Sequence, residues 1–216
     1  TRHEGGASFM AVADAKMTGK PGIVLVSRGP GATNGSIGIH VSQQDAVPVI
    51  MFVGQVARED LGRNAFQELD YTKTFSDMAK WVVEITEADK VAEDVRRAFT
   101  IAQSGVPGPV IVSLPEDMLI DQTKALPLSP ATISQPKPDN EDIIKVCDML
   151  SQSERPLIIA GGQISGKLGR EALRMFSERW NVPVATSWRH QDLFDVAHLN
   201  FACHLAFNMP PIFKDT

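Results

Sequence analysis

Short β-branched runs bounded by glycine and proline alternate along this chain with stretches whose apolar residues recur at helical spacing, and that alternation constrains the fold more than any other feature. The runs are Gly22–Val26, Pro48–Val53, Pro109–Leu114, Pro156–Ala160 and Pro183–Thr186, with Trp81–Ile85 as a weaker sixth. Each reads as a buried strand. Between them, Asp89 to Ser104 puts Val91, Val95, Ala98, Phe99 and Ala102 on one helical face before Gly105 and Pro107 stop it. Leu168–Trp180 repeats the pattern with Leu168, Ala172, Leu173 and Phe176, and Asp142–Leu150 does so more briefly with Ile143, Val146, Cys147 and Leu150. Strands that alternate with helices are joined by crossovers. The expected class is therefore α/β, with parallel sheets covered by helices on both faces and ligands gathering at the carboxyl ends of strands.

The texture changes between Lys124 and Pro138, where Pro127, Pro130, Pro136 and Pro138 stand among scattered serines and threonines and exclude both a ladder and a helix interior. This segment, 124–138, is the predicted linker between a first domain at 1–123 and a second at 139–216. With 216 residues and 43% hydrophobic content the chain can fill two modest cores, and both domains are expected to be doubly wound, Rossmann-like and incomplete. No apolar run approaches the roughly 20 residues of a membrane span, and nothing resembles a signal sequence. Cys147 and Cys203 are too few for a disulfide framework, which fits a reducing, cytoplasmic setting. The net charge of −5 is spread along the chain, and Arg96 and Arg97 are flanked by Glu93 and Asp94, so no basic stripe is offered to nucleic acid. His190, His198 and His204 do not have metal-ligand spacing, and no metal ligands are assigned.

Three glycine-bearing segments invite a phosphate or cofactor reading. Gly29-Pro30-Gly31-Ala32-Thr33-Asn34 follows a strand and approaches GxGxxG, but Asn34 replaces the last glycine that tight helix packing needs. Gly161-Gly162-Gln163-Ile164-Ser165-Gly166-Lys167-Leu168 satisfies GxxxxGK, but Leu168 stands where a hydroxyl must hold magnesium. A tight turn explains it better than ATP hydrolysis, although backbone amides there can approach a nucleotide. The third segment, Arg2 to Ala11, places the carboxylate of Glu4 at the start of a helical stretch, where it would favour the helix dipole. Gly5 and Gly6 add a second signal, since glycines in a first turn cost stability and mark a place where another backbone or a ligand comes close.

The succession RHEGGASFMA, then SRGPGATNGSIGIHVSQQDAVPVIMFVGQ, then AFQELDYTKTF resembles the pyrimidine-binding domain of acetolactate synthase and its thiamine-diphosphate-dependent relatives. The resemblance continues through GVPGPVIVSLPEDML and, in the second domain, through PLIIAGG and NVPVATSW, so it covers essentially the whole chain. It implies that Glu4 hydrogen-bonds a ring nitrogen of the cofactor's aminopyrimidine and thereby activates the thiazolium carbon that attacks a 2-oxo acid. It further implies that this carboxyl is held largely away from water, with its pKa raised toward the working range. By the same resemblance Gly31, Ala32, Thr33 and Asn34 form the loop beside the cofactor, Gln44 reaches the same cavity, and Phe66 and Gln67 line its substrate side.

The second domain resembles the flavoprotein-like central domain of these enzymes, which holds FAD, ADP or nothing. Gly161 and Gly162 match the start of its glycine turn, whereas Gln163 departs from the usual third glycine. The family binds the diphosphate and its Mg2+ through a GDG motif and an asparagine about 25–30 residues further on, in a third domain whose oxygen ligands suit that metal. This sequence has no Asp-Gly or Gly-Asp pair, and it starts at Thr1 just before the HE motif. The expectation is a piece of a longer enzyme, inactive alone, that decarboxylates a 2-oxo acid and joins it to an acceptor within a homodimer or homotetramer, the cofactor lying between two subunits. The alternatives are a non-catalytic nucleotide-binding module, in which the Gly161-Gly162 turn holds an adenine nucleotide, and another thiamine-diphosphate reaction such as benzoylformate-type decarboxylation or sulfoacetaldehyde acetyl transfer.

Overall fold

The computed structural model describes residues 1–134 and 136–206. The chain divides into two compact units, Thr1–Gln135 and Pro136–Thr216. The end of the second expected domain, 207–216, lies outside the described residues.

The first unit runs α1 (Glu4–Thr18), β1 (Gly22–Val26), α2 (Pro30–Gln44), β2 (Val49–Gln55), α3 (Tyr71–Phe75), β3 (Trp81–Glu84), α4 (Val91–Gln103) and β4 (Pro109–Pro115). Its four strands are all parallel, in the order β1-β2-β4-β3. Side chains alternate across the pleat. Val49, Met51, Val53 and Ile111 therefore pack with Ala11, Val12, Ala15 and Ile39 of α1 and α2, while Ile50, Val110 and Val112 pack with Ala98 and Ala102 of α4. Helices on both faces are what a parallel sheet with strands apolar on both sides requires.

Small residues set how closely α1 and α2 approach each other and the sheet. A Cβ at Gly38 of α2 would come within 2.3 Å of the Ser8 hydroxyl on α1, and one at Gly35 within 3.3 Å of the Met51 sulfur on β2. The segment from Gly31 to Asn34, expected as a loop, is instead the first turn of α2, begun by Pro30, whose ring fixes the φ that a first helical position needs. That close packing holds a helix through a stretch of glycine, threonine and asparagine, which are only weak helix formers.

Helix α4 carries the predicted face, with Ala98 and Ala102 fully buried, and a 3-10 turn at Ala88–Lys90 leads into it. The Lys80 ammonium closes its other end by donating to the carbonyls of Ile101, Ser104 and Val106 at 2.6, 2.6 and 2.8 Å. A cation at a helix C-terminus answers both the dipole and the carbonyls left without helical partners. Lys80→Met, which keeps the stem and deletes the charge, is expected to lower stability by about 1 kcal/mol in urea unfolding.

The second unit contains α5 (Asn140–Ser151), β5 (Ile158–Ala160), α6 (Lys167–Trp180), β6 (Val184–Thr186) and β7 (Phe201–His204), with the parallel strand order β5-β6-β7. Ala160, Leu173, Val184, Leu193 and Phe194 make its core. Strand β7 was not among the expected runs. Among the described residues no helix is long and apolar enough to cross a membrane.

Candidate functional site

Glu4 opens α1, and the preceding residue explains why the helix starts there. His3 is the N-cap, extended in backbone, and its Nδ1 accepts the Gly5 amide at 3.0 Å. A Cβ at Gly5 would fall 3.0 Å from that ring nitrogen and 3.3 Å from the Asn34 carbonyl oxygen, so the glycine is needed for both approaches. The Glu4 carboxylate is thus delivered to the first turn of α2, where Asn34 Nδ2 donates to Glu4 Oε2 at 3.1 Å.

The other carboxylate oxygen faces Gly31. A Cβ built there would lie 3.5 Å from Glu4 Oε1 and 2.4 Å from the Ser27 hydroxyl oxygen, so glycine keeps open the space between the end of β1 and the carboxylate. A cleft of about 790 Å³ borders Glu4 and is also lined by Met10, Leu25 and Ser27. Arg2, His3 and Asp14 line it as well, so the cleft is polar as much as apolar, and among its groups the Glu4 carboxylate, set by Asn34, can serve as a polar anchor for a flat nitrogen heterocycle. The residues present therefore fit the pyrimidine end of thiamine diphosphate.

The electrostatics differ from the expectation. Glu4 is partly exposed, and its pKa lies below the usual glutamate range, first through its own backbone amide and then through the Asn34 amide, with His3 adding a smaller effect; partial burial opposes them. Donors that stabilise the charged form outweigh incomplete desolvation. In this chain Glu4 is an anion at neutral pH, not a carboxyl poised by burial.

The turn at Gly29 connects Glu4 to the second predicted region. Gly29 has φ +50°, and a Cβ there would meet the Gln67 carbonyl oxygen at 2.6 Å. Gln67 itself has φ +65°, a left-handed conformation uncommon outside glycine that costs on the order of 1 kcal/mol and tends to occur where surrounding structure imposes it. The excursion carrying Phe66 and Gln67 is pinned at several points. The buried Gln55 amide donates to Leu69 O at 2.9 Å and Glu84 Oε2 at 3.1 Å, and the Glu68 carboxylate accepts from the amides of Gly62 and Ala65 at 2.5 and 3.0 Å.

The structure thus brings Glu4, Gly31 and Asn34 together and sets Gln67 against the same turn. Ala32 is fully buried in the core beneath it, Thr33 is exposed on the helix surface, and Phe66 is 79% exposed. Gln44 is not brought in: it ends α2, ten residues beyond Asn34 and hence about 15 Å along the helix. Its amide bonds the neighbouring Gln43. Sequence reasoning missed His3, Ser27 and Tyr71. Histidine is not a favoured N-cap type, and Ser27 carries no pattern, but Tyr71 had a signal as the one tyrosine of the chain.

In the second unit the Gly161-Gly162 turn follows β5 as expected. A Cβ at Gly162 would lie 2.3 Å from His190 Nε2, and His190 Nδ1 is 3.2 Å from the Ser187 hydroxyl. Packing of the imidazole against the backbone gives this glycine a reason within the chain itself.

Residues 1–74 match the family model for the thiamine pyrophosphate enzyme N-terminal TPP binding domain, and residues 143–211 match the model for the central domain of thiamine pyrophosphate enzymes. The acetolactate synthase large subunit of Parasynechococcus marenigrum (strain WH8102) is 36% identical over 90% of this chain and 32% of its own length. That of Buchnera aphidicola subsp. Acyrthosiphon pisum (strain APS) is 37% identical over 86% and 34%, and that of Lactococcus lactis subsp. lactis (strain IL1403) is 33% identical over 91% and 35%. The chain spans about a third of the length of these curated relatives. With Glu4, Gly31 and Asn34 gathered inside the first matched segment and the two matched segments falling in the two units, the chain belongs to the thiamine pyrophosphate enzyme family.

Proposed function

We propose that this chain is the cofactor-activating part of an acetolactate-synthase-like enzyme that decarboxylates a 2-oxo acid and forms a carbon–carbon bond with an acceptor. The observation that carries the reading is the Glu4 carboxylate, tied to Asn34 and facing the space kept open by Gly31 at the carboxyl end of β1. Glu4, Gly31 and Asn34 would hold the pyrimidine end of thiamine diphosphate. That cofactor, when bound, supplies the electron sink that a 2-oxo acid needs to lose carbon dioxide.

Glu4 binds and orients through one oxygen while Asn34 fixes the other. An anionic carboxylate with its orientation set can hold a proton between its free oxygen and a ring nitrogen, a contact whose strength increases as water is excluded. Since Glu4 is only partly buried, exclusion of water falls to whatever covers the cleft, which we assign to a second copy of the chain within a homo-oligomer. Oxygen ligands for Mg2+ would come from a part of the enzyme beyond these residues.

The test is carbon dioxide release from 2-oxo acids by the full-length protein with and without added thiamine diphosphate and Mg2+. Cofactor-dependent release followed by formation of a coupled product supports the assignment. Release without coupling would favour a simple decarboxylase, and no release from any 2-oxo acid would overturn the reading.

A further inference from the structure

Tyr71 is the one tyrosine of a chain with ten phenylalanines, and only 2% of its surface is exposed. Its ring packs beside Phe75, with centroids 6.4 Å apart, a role phenylalanine would fill equally well. The hydroxyl is what distinguishes it. It accepts the Gly29 amide at 3.0 Å and donates to the Gly54 carbonyl at 2.9 Å. One side chain therefore joins the turn before α2 to the end of β2, using both hydrogen-bonding capacities of a buried phenol. Burial pushes the phenol's pKa above its usual value, so it remains protonated and a donor at neutral pH.

The tethered turn leads directly to Glu4. The Gly29 carbonyl accepts from the Thr33 amide at 3.0 Å and the Thr33 hydroxyl at 3.3 Å, and the next residue is Asn34, which holds Glu4 Oε2. On its other side Gly29 abuts Gln67, four residues before Tyr71. Both the +50° φ of Gly29 and the +65° φ of Gln67 need neighbours to hold them. The phenol is placed to do so for the first directly and for the second through contact.

We propose that Tyr71 is a positioning residue whose hydroxyl locks the Gly29 turn between Glu4 and Gln67, so that Asn34 presents the carboxylate to the cofactor in one orientation. The tether is a property of this chain alone; its effect on the cofactor rests on the functional reading given above.

The test compares the full-length protein with its Tyr71→Phe variant, below both unfolding midpoints. Amide hydrogen exchange without cofactor is expected to quicken about tenfold across Gly29–Asn34 in the variant and to remain unchanged in β4. In titration calorimetry with thiamine diphosphate and Mg2+, the dissociation constant is expected to rise about tenfold. Unchanged exchange over Gly29–Asn34 would overturn the tether, and faster exchange with an unchanged dissociation constant would overturn the positioning role. If the variant does not fold, the wild-type Gly29 amide decides, since slow exchange supports the tether and fast exchange overturns it. A wild-type protein that fails to bind thiamine diphosphate overturns the cofactor reading, a failure separate from the exchange result on the tether.

Discussion

Glu4→Gln in the full-length protein is expected to reduce turnover of the 2-oxo acid by roughly 10²–10⁴-fold, the range associated with loss of a positioned acid–base group. Glutamine keeps the length of the side chain, and its amide oxygen can still accept from Asn34, so α1, α2 and their packing should survive intact. It loses the negative charge that would favour a proton on the partner ring nitrogen. Because Glu4 is held below the usual glutamate range by its own amide and Asn34, wild-type Glu4 is already ionised throughout the neutral range. The loss in the variant should therefore be nearly independent of pH from about 6 to 8. Steady-state kinetics at several pH values, with a thermal scan to confirm folding, would check both points.

Gly22→Ala is expected to have the largest effect on folding. Gly22 begins β1 and pairs with Val49 at the start of the register, and a Cβ there would sit 2.0 Å from the Ala11 carbonyl oxygen and 2.7 Å from its carbon. No side chain can rotate away, because the clash is with the backbone of α1. Relief requires α1 to lift from the sheet, which would uncover Ala11, Val12 and Ala15. Overpacking of this kind costs about 3 kcal/mol or more, a large part of a domain's stability of about 5–15 kcal/mol. A strongly lowered urea midpoint, with loss of cofactor binding, is the expected outcome. A midpoint within experimental error of wild type would show that α1 does not pack as described.

Much of the fold was legible because buried parallel strands announce themselves. Gly22–Val26 was read with its observed bounds, and the other expected runs each contain or overlap an observed strand, because glycine and proline punctuate β-branched segments. Phe201–His204 escaped because its four residues include no β-branched side chain and no such punctuation. Helix α2 was partly hidden for the opposite reason. Its opening Gly-Ala-Thr-Asn-Gly sequence reads locally as a turn, and only the fit of Gly35 and Gly38 against Met51 and Ser8 makes it helical.

The site was legible in composition more than in arrangement. Glu4 could be singled out from the residues that follow it in order, but the direction of its pKa shift could not, because that depends on an amide 30 positions away and on exposure in the folded chain. Gln44 was placed at the cavity by resemblance, yet the rise of a helix carries it about 15 Å beyond Asn34. Tyr71 makes the reverse point. Its phenol links Gly29 to Gly54, positions separated from it by 42 and 17 residues, and no local pattern shows such a link.

The most direct test of the central claim is the rate of deuterium exchange at the thiazolium carbon of thiamine diphosphate bound to the full-length protein, measured without substrate for the wild type and Glu4→Gln. Faster exchange on the wild-type protein than in free solution, falling by about 100-fold or more in the variant, is the predicted result. Equal rates on the two proteins would contradict the role assigned to Glu4.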